Sequence, residues 1–367
     1  MIEEHLKFIY DQFDYLEDFK NFEELTSGHI NDTYLVTSNF GERVILQKIN
    51  SGVFKDVPGL IANKVGVSKH LLRKLKHFSE EELKRRVLTF IATKNGIFYY
   101  QDIDGYFWNM MVYIEGSTTF ETVKNEEIAY EAGKIFGEFL NLTSDFDVGK
   151  LIEVIPNFHD MAFRFSQFDS ALKEASEQRV EQAKTCINLV YELKEEMHVL
   201  QKLKDAEKIK LTVTHNDTKI SNVLFDVNKK GLCVIDTDTV MPGIIHYDFG
   251  DAVRTICNTA AEDEKNLSLV SFNLQYYKAY VKGFIEKTNS SLSLLEIKYL
   301  PLGAKTMVFI MALRFLTDFL NDDIYYKTKY LEHNLDRSKN QFKLIESISK
   351  QFKEMEDYNL DFFESLK

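Results

Sequence analysis

The 367-residue sequence predicts an α+β protein in two lobes, a small antiparallel-sheet lobe over residues 1–112 and a larger, mainly helical lobe over residues 113–367. Three observations carry this. Period-two alternation punctuated by Gly, Asn and Asp marks the first part, and helical spacing takes over from about residue 122. Between them lies the glycine-containing stretch Tyr113-Ile-Glu-Gly116-Ser-Thr.

After one short helix, residues 33–37 and 44–50 read as two strands turned by Ser38-Asn39-Phe40-Gly41. Residues 61–75 follow a helical stripe of Ile61, Val65, Leu71, Leu72 and Leu75, giving one helix to pack on the sheet. A second strand pair, 97–101 and 106–113, turns at Asp102-Ile-Asp-Gly105. In the second part, residues 125–142 are amphipathic, and 169–204 form a long charged segment that is bent or paired. Residues 211–235 are extended, and helical patterns resume from 262 to the end, including 307–320 and 335–358.

Composition narrows the function classes. Lys and Arg total 45 against 57 Asp and Glu, a net charge of −12, and 44% of residues are hydrophobic. Disorder is excluded, and the acidic balance argues against a protein held on a nucleic-acid backbone. Cys186, Cys233 and Cys257 are too few and too scattered for a disulfide framework or a zinc site. The start of the chain lacks the pattern of a secretory signal, and the apolar run 307–313 is shorter than the ~20 residues that cross a bilayer. The expectation is a cytoplasmic, monomeric enzyme with no nucleic-acid or membrane partner.

One segment carries chemistry. In Thr214-His215-Asn216-Asp217-Thr218-Lys219-Ile220-Ser221-Asn222, the residues His215, Asp217 and Asn222 have the spacing of a kinase catalytic loop. Two short apolar runs follow, 223–225 and 232–235, separated by a polar turn. An antiparallel hairpin brings the start of its first strand beside the end of its second, so Asn222 and Asp236 converge. An amide oxygen and a carboxylate are hard ligands suited to magnesium, and Asp217 is placed to receive a proton from a substrate hydroxyl. The bland alternative is that Asp and Asn merely form turns at the hairpin ends.

These motifs, with Tyr247-Asp248-Phe-Gly250-Asp251, resemble the aminoglycoside phosphotransferase and choline kinase superfamily. More narrowly, the chain is similar to the bacterial N-acetylhexosamine 1-kinases. The resemblance extends to Gly28-His-Ile-Asn31-Asp-Thr-Tyr34, Val44-Ile-Leu-Gln47-Lys48-Ile-Asn50, Arg314-Phe-Leu-Thr-Asp318 and the stretch from Asp323 to Leu335, and the first and last of these segments point to the sugar kinases. The resemblance implies a protein-kinase-like fold with ATP between the lobes. It also implies transfer of the γ-phosphate, with Mg2+, to the anomeric hydroxyl of N-acetylglucosamine or N-acetylgalactosamine.

Roles follow from the resemblance. Asp217 is the base; Asp236 and Asn222 hold the metal; Asp238 contacts metal or substrate. Backbone groups at Ser27 and Gly28, with Asn31, cradle phosphates, and His29 reaches the sugar. Lys48 is the candidate to pair with the phosphates, although strand alternation lets only one of Gln47 and Lys48 face the nucleotide. Helix 61–75 offers no glutamate, so the usual Lys–Glu pair is absent or rebuilt. Backbone groups of Tyr113 and Glu115 receive adenine. Arg314 and Tyr325 contact the sugar, although Arg314 could equally pair with Asp318 one turn on. His215, Asp248 and Asp251 brace the loop, and Lys219 either neutralises phosphate charge or is simply solvated. The rivals are a same-fold kinase for an aminoglycoside, choline or another small alcohol, and a non-catalytic ATP-binding regulator.

Overall fold

The alternation of the first part becomes an antiparallel sheet in the computed structural model, which describes residues 2–25 and 30–367. Along the chain the elements are α1 (Ile2–Tyr10), β1 (Phe19–Leu25), β2 (Asp32–Ser38), β3 (Arg43–Ile49), α2 (Val57–Lys74), α3 (Glu80–Arg86), β4 (Phe90–Ile91), β5 (Tyr100–Gln101) and β6 (Phe107–Val112). Then come α4 (Glu126–Leu142), α5 (Met161–Glu174), α6 (Glu177–Met197), α7 (Val199–Asp205), β7 (Thr212–Thr214), β8 (Val223–Phe225), β9 (Gly231–Val234) and β10 (Met241–Gly243). The chain closes with α8 (Ile245–Ile256), α9 (Leu274–Thr288), α10 (Leu294–Leu320) and α11 (His333–Ser365).

The chain forms two compact units. One comprises Met1–Thr119, Leu142–Pro156 and Asn222–Pro242; the other comprises Phe120–Asn141, Asn157–Ser221 and Gly243–Lys367. This is not a single crossing at residue 112. The chain returns twice to the first unit, and the β8–β9 hairpin with Asn222 and Asp236 at its ends is one of those returns.

In the first unit the sheet order is β1-β2-β3-β6-β4, with β5 also on β6. Val36, Val44, Leu46, Trp108 and Met110 point to one face and bury against Leu6, Ile9 and Tyr10 of α1. Alternation sends Gln47 to the other face, where its amide meets Lys64 of α2. The sheet is therefore covered by a helix on each face, not by one helix. α2 begins at Asp56, whose carboxylate accepts from Gly59 N at 2.9 Å, with Pro58 in the first turn. The turn 102–105 is held by Asp102, which accepts from Asp104 N, Tyr106 N and Trp108 Nε1, while Gly105 takes φ +84°.

The second unit is built on α10, buried along most of its length and packed against α5, α8 and α11. A capping box, Ser293 with Glu296, starts it, earlier than the 307–320 stretch read from the sequence. By length and composition alone α10 could cross a membrane, but 83% of its most apolar window is buried inside the protein. α8 and α10 meet at Gly250 and Gly303; a Cβ at Gly250 would lie 2.2 Å from Gly303 O. Only hydrogen at these positions permits that approach, and it fixes α8 and the acidic residues it carries. The charged segment 169–204 is broken twice, at Ser176, which caps α6 by accepting from Arg179 N, and at His198.

Candidate active site

Each unit carries its own set of candidate residues. In the second unit, β7 delivers the chain into the loop 214–218. Asn216 there adopts φ +63°, a left-handed conformation costly for a residue with a Cβ unless its surroundings enforce it. Asp248, in the first turn of α8, supplies that enforcement. Its carboxylate accepts from His215 N and from Asn216 N, each at 2.7 Å. Asp251, one turn on, accepts from Thr218 N at 3.0 Å, and Thr218 Oγ1 donates to Asp248 O at 2.6 Å. The His215 ring is buried against Phe136 and Phe139 of α4, and its Nδ1 accepts from Asp217 N at 3.3 Å. Asp217 emerges from this frame one-third exposed, with Lys219 Nζ 3.0 Å from its carboxylate.

Burial sets the electrostatics of the frame. Loss of water pushes the Asp248 carboxyl up to about 6, against the opposing pull of His215 and the two N–H donors. Asp251 is raised too, chiefly by burial, while the Arg254 guanidinium at 3.0 Å opposes the shift. Arg254 also holds Glu262 at 2.6 Å.

A second cluster of this unit surrounds Arg314 on α10. Its guanidinium lies 5.3 Å from the Phe158 ring, 5.5 Å from Tyr326 and 5.9 Å from Tyr325. The Arg314–Asp318 bridge allowed by helical spacing does not form. Asp318 is instead taken by Tyr325 N (2.8 Å), Tyr326 N (2.9 Å) and Asn334 Nδ2 (2.9 Å), and so shapes the turn carrying the two tyrosines. Arg164 of α5 donates to Phe158 O and Gln167 Oε1; burial, with the nearby charge of Arg314, lowers its pKa to about 10. Among the described residues, neither Arg164 nor Arg314 has a carboxylate within 4.0 Å. His159, buried against Tyr247, is driven well below the usual imidazole range by burial and by the charges of Arg314, Arg164 and Arg254. Sequence reading missed Arg164 and His159, which carry no motif.

In the first unit, Val223 pairs with Val234 and Ile235 N donates to Asn222 O at 2.9 Å, so Asn222 and Asp236 occupy neighbouring ends of the hairpin. Asp236 takes φ +59°, a second strained position beside the motif. Among the described residues no group of three or more His, Cys, Asp or Glu is arranged for a metal. An amide oxygen and a carboxylate at a hairpin end are the kind of donors that would suit a hard divalent cation. Phe225 exchanges backbone bonds of 2.8 and 2.9 Å with Thr118, tying the hairpin to the segment after Tyr113 and Glu115.

Three expectations in this unit change. Lys48 is on the α1 face of the sheet, 3.5 Å from the Tyr106 ring centre and 3.9 Å from Asp32, because alternation gives the α2 face to Gln47. Asn31 is committed to the protein: Oδ1 accepts from Asn50 N at 2.8 Å and Nδ2 donates to Asp238. Of the backbone groups expected to meet adenine, Tyr113 N is taken by Arg43 O at 3.2 Å. The Glu115 side chain pairs with Arg43, whose guanidinium stacks over Tyr113, and this leaves the expectation for the Glu115 backbone unchanged. Ser27, Gly28 and His29 lie outside the described residues. Asp238 is 4% exposed, with Lys64 on one oxygen and Asn31 on the other. Lys64 was overlooked, yet it had a signal: a lysine on the stripe of Leu60, Ile61, Val65 and Ser68, which all face inward.

The protein class follows from comparison. A model of the phosphotransferase enzyme family designated APH matches residues 21–280. The chain belongs to that phosphotransferase family. Its fold is shared with an aminopropanol kinase associated with a microcompartment, at TM-score 0.62 and 13% identity over 96% of this chain and 98% of that one. The amicoumacin kinase hAmiN, solved in complex with AMP-PNP, Ca2+ and Ami, matches at TM-score 0.61 and 13% identity, over 96% and 94%. Choline kinase from Cryptosporidium parvum matches at 0.57 and 12%, over 98% and 99%. At such identities the likeness establishes the fold alone.

Proposed function

We propose that the protein transfers the γ-phosphate of ATP to the anomeric hydroxyl of an N-acetylhexosamine, N-acetylglucosamine or N-acetylgalactosamine. The observation that carries the acceptor class is the arginine pair of the second unit. Arg164 and Arg314 stand among Phe158, Tyr325 and Tyr326, and among the described residues neither forms an ion pair, Asp160 acting on Arg164 only from beyond 4.0 Å. Choline, ethanolamine and aminoglycosides are cations. At a separation of about 6 Å and an effective dielectric of about 20, each arginine would oppose such a charge by about 3 kcal/mol. A neutral, oxygen-rich acceptor meets the opposite situation: guanidinium donors match its hydroxyl and carbonyl oxygens, and tyrosine faces cover its ring.

The roles are assigned on that reading. Asp217 orients the anomeric hydroxyl and takes its proton as the sugar oxygen bonds to the γ-phosphorus, while the bond from phosphorus to the bridging oxygen of ADP breaks. Lys219, beside Asp217, balances its charge. Asp236 and Asn222 would hold Mg2+, which neutralises charge on the phosphate oxygens when bound. His215, Asp248 and Asp251 act through the loop, since their bonds go to its backbone or its interior.

ADP release measured across free hexosamines, choline, ethanolamine and aminoglycosides tests this. The reading expects turnover with N-acetylhexosamines, an anomeric phosphate by phosphorus NMR, and a raised sugar KM in Arg314→Met. Turnover confined to amines would refute it.

A further inference from the structure

Protein kinases join a strand lysine to a helix glutamate next to the nucleotide. In the first unit the same two elements are present with the charges redistributed. The strand residue is the neutral Gln47, and the helix residue is Lys64, 3% exposed, whose Nζ lies 3.3 Å from Gln47 Oε1. The acid has moved to the turn after β9, as Asp238. Lys64 binds one oxygen of Asp238 and Asn31 binds the other, so the carboxylate is fully committed inside the protein. Its neighbour Asn63 grips the same turn two residues on, donating to Val240 O at 2.8 Å while also bridging to Ile152. Two adjacent residues of α2 thus pin residues 238–240, immediately after Asp236 at φ +59°.

A left-handed aspartate persists only when its surroundings over-determine it. We propose that Lys64 is the positioning cation of the metal-bearing turn. Through Asp238, and with Asn31 and Gln47, it fixes the conformation in which Asp236 presents its carboxylate to a divalent ion. Asp238 is then an anchor, neither a metal ligand nor a sugar contact. The inference rests on the assignment of Asp236 and Asn222 as metal ligands and is independent of the acceptor.

The test is acceptor-free binding of Mn2+ with AMP-PNP, followed by the electron paramagnetic resonance signal of free Mn2+, alongside metal-free binding of adenosine. Lys64→Met leaves a buried carboxylate with Asn31 but without its cation and is at risk of not folding, so the decisive variant is the double substitution Lys64→Leu with Asp238→Leu, which removes the whole ion pair. It should keep adenosine affinity and weaken Mn2+ by about 10- to 100-fold, the usual cost of losing an outer-shell partner. Lys64→Arg should stay close to the wild type. Wild-type Mn2+ affinity in the double variant, or equal losses of adenosine and Mn2+ affinity, would overturn the proposal. Failure of the wild-type protein itself to bind Mn2+ with AMP-PNP would instead overturn the metal assignment.

Discussion

Removing the Asp248 carboxylate should unfasten the loop that presents Asp217. In Asp248→Ala, the N–H groups of His215 and Asn216 lose acceptors at 2.7 Å, and both residues are buried. A hydrogen bond to a charged acceptor contributes about 1.5–3 kcal/mol, and two buried donors left unpaired bring the total to about 3–5 kcal/mol at neutral pH. Because Asn216 sits at φ +63°, the released segment should also drift toward ordinary backbone angles. Urea unfolding gives the stability loss. Hydrogen exchange locates it, with His215 and Asn216 amides exchanging faster while the β-sheet of the first unit is unaffected. Turnover should fall by more than about 100-fold on loss of a positioned proton acceptor. A loss below about 1 kcal/mol, with unchanged exchange at the two amides, would refute the bracing role.

Two further outcomes follow from the second unit. The Asp248 carboxyl is raised to about 6 by burial, so between about pH 4 and pH 6 the folded state holds more protons than the unfolded one, and stability falls as pH rises through that window. The rise to about 6 corresponds to about 3 kcal/mol, and Asp251, raised in the same direction, adds to the slope; urea titrations at each pH should show a flatter profile for Asp248→Asn than for the wild type. Asp318→Ala releases Tyr325 N, Tyr326 N and Asn334, which should cost about 2–3 kcal/mol and raise the acceptor KM with little change in ATP affinity, as steady-state kinetics with each substrate varied in turn would show.

Much of this was legible where a residue's partner is close in sequence or set by a repeating period. β2, β3 and the β8–β9 hairpin show as alternation around turns, and the spacing from His215 to Asn222 marks the loop. β1 escaped because its segment Phe19-Lys-Asn-Phe-Glu-Glu-Leu25 presents mostly exposed polar residues and pairs on only one edge, with β2. α10 was read from its C-terminal half because Pro301 interrupts the local pattern, although its bulk is tertiary core. The choice between Gln47 and Lys48 depends on which sheet face meets α2, a relation across 17 residues that no local rule supplies. Arg164 and Arg314 likewise come from different helices and share their aromatic surroundings only in the folded chain.

The proton-accepting role proposed for Asp217 is tested most directly by Asp217→Asn, with turnover of N-acetylhexosamine, the proposed acceptor, and ATP binding measured on the same preparation. The account predicts a turnover loss of about 100-fold or more and an ATP dissociation constant within about threefold of the wild type. Turnover close to wild type in that variant would contradict it.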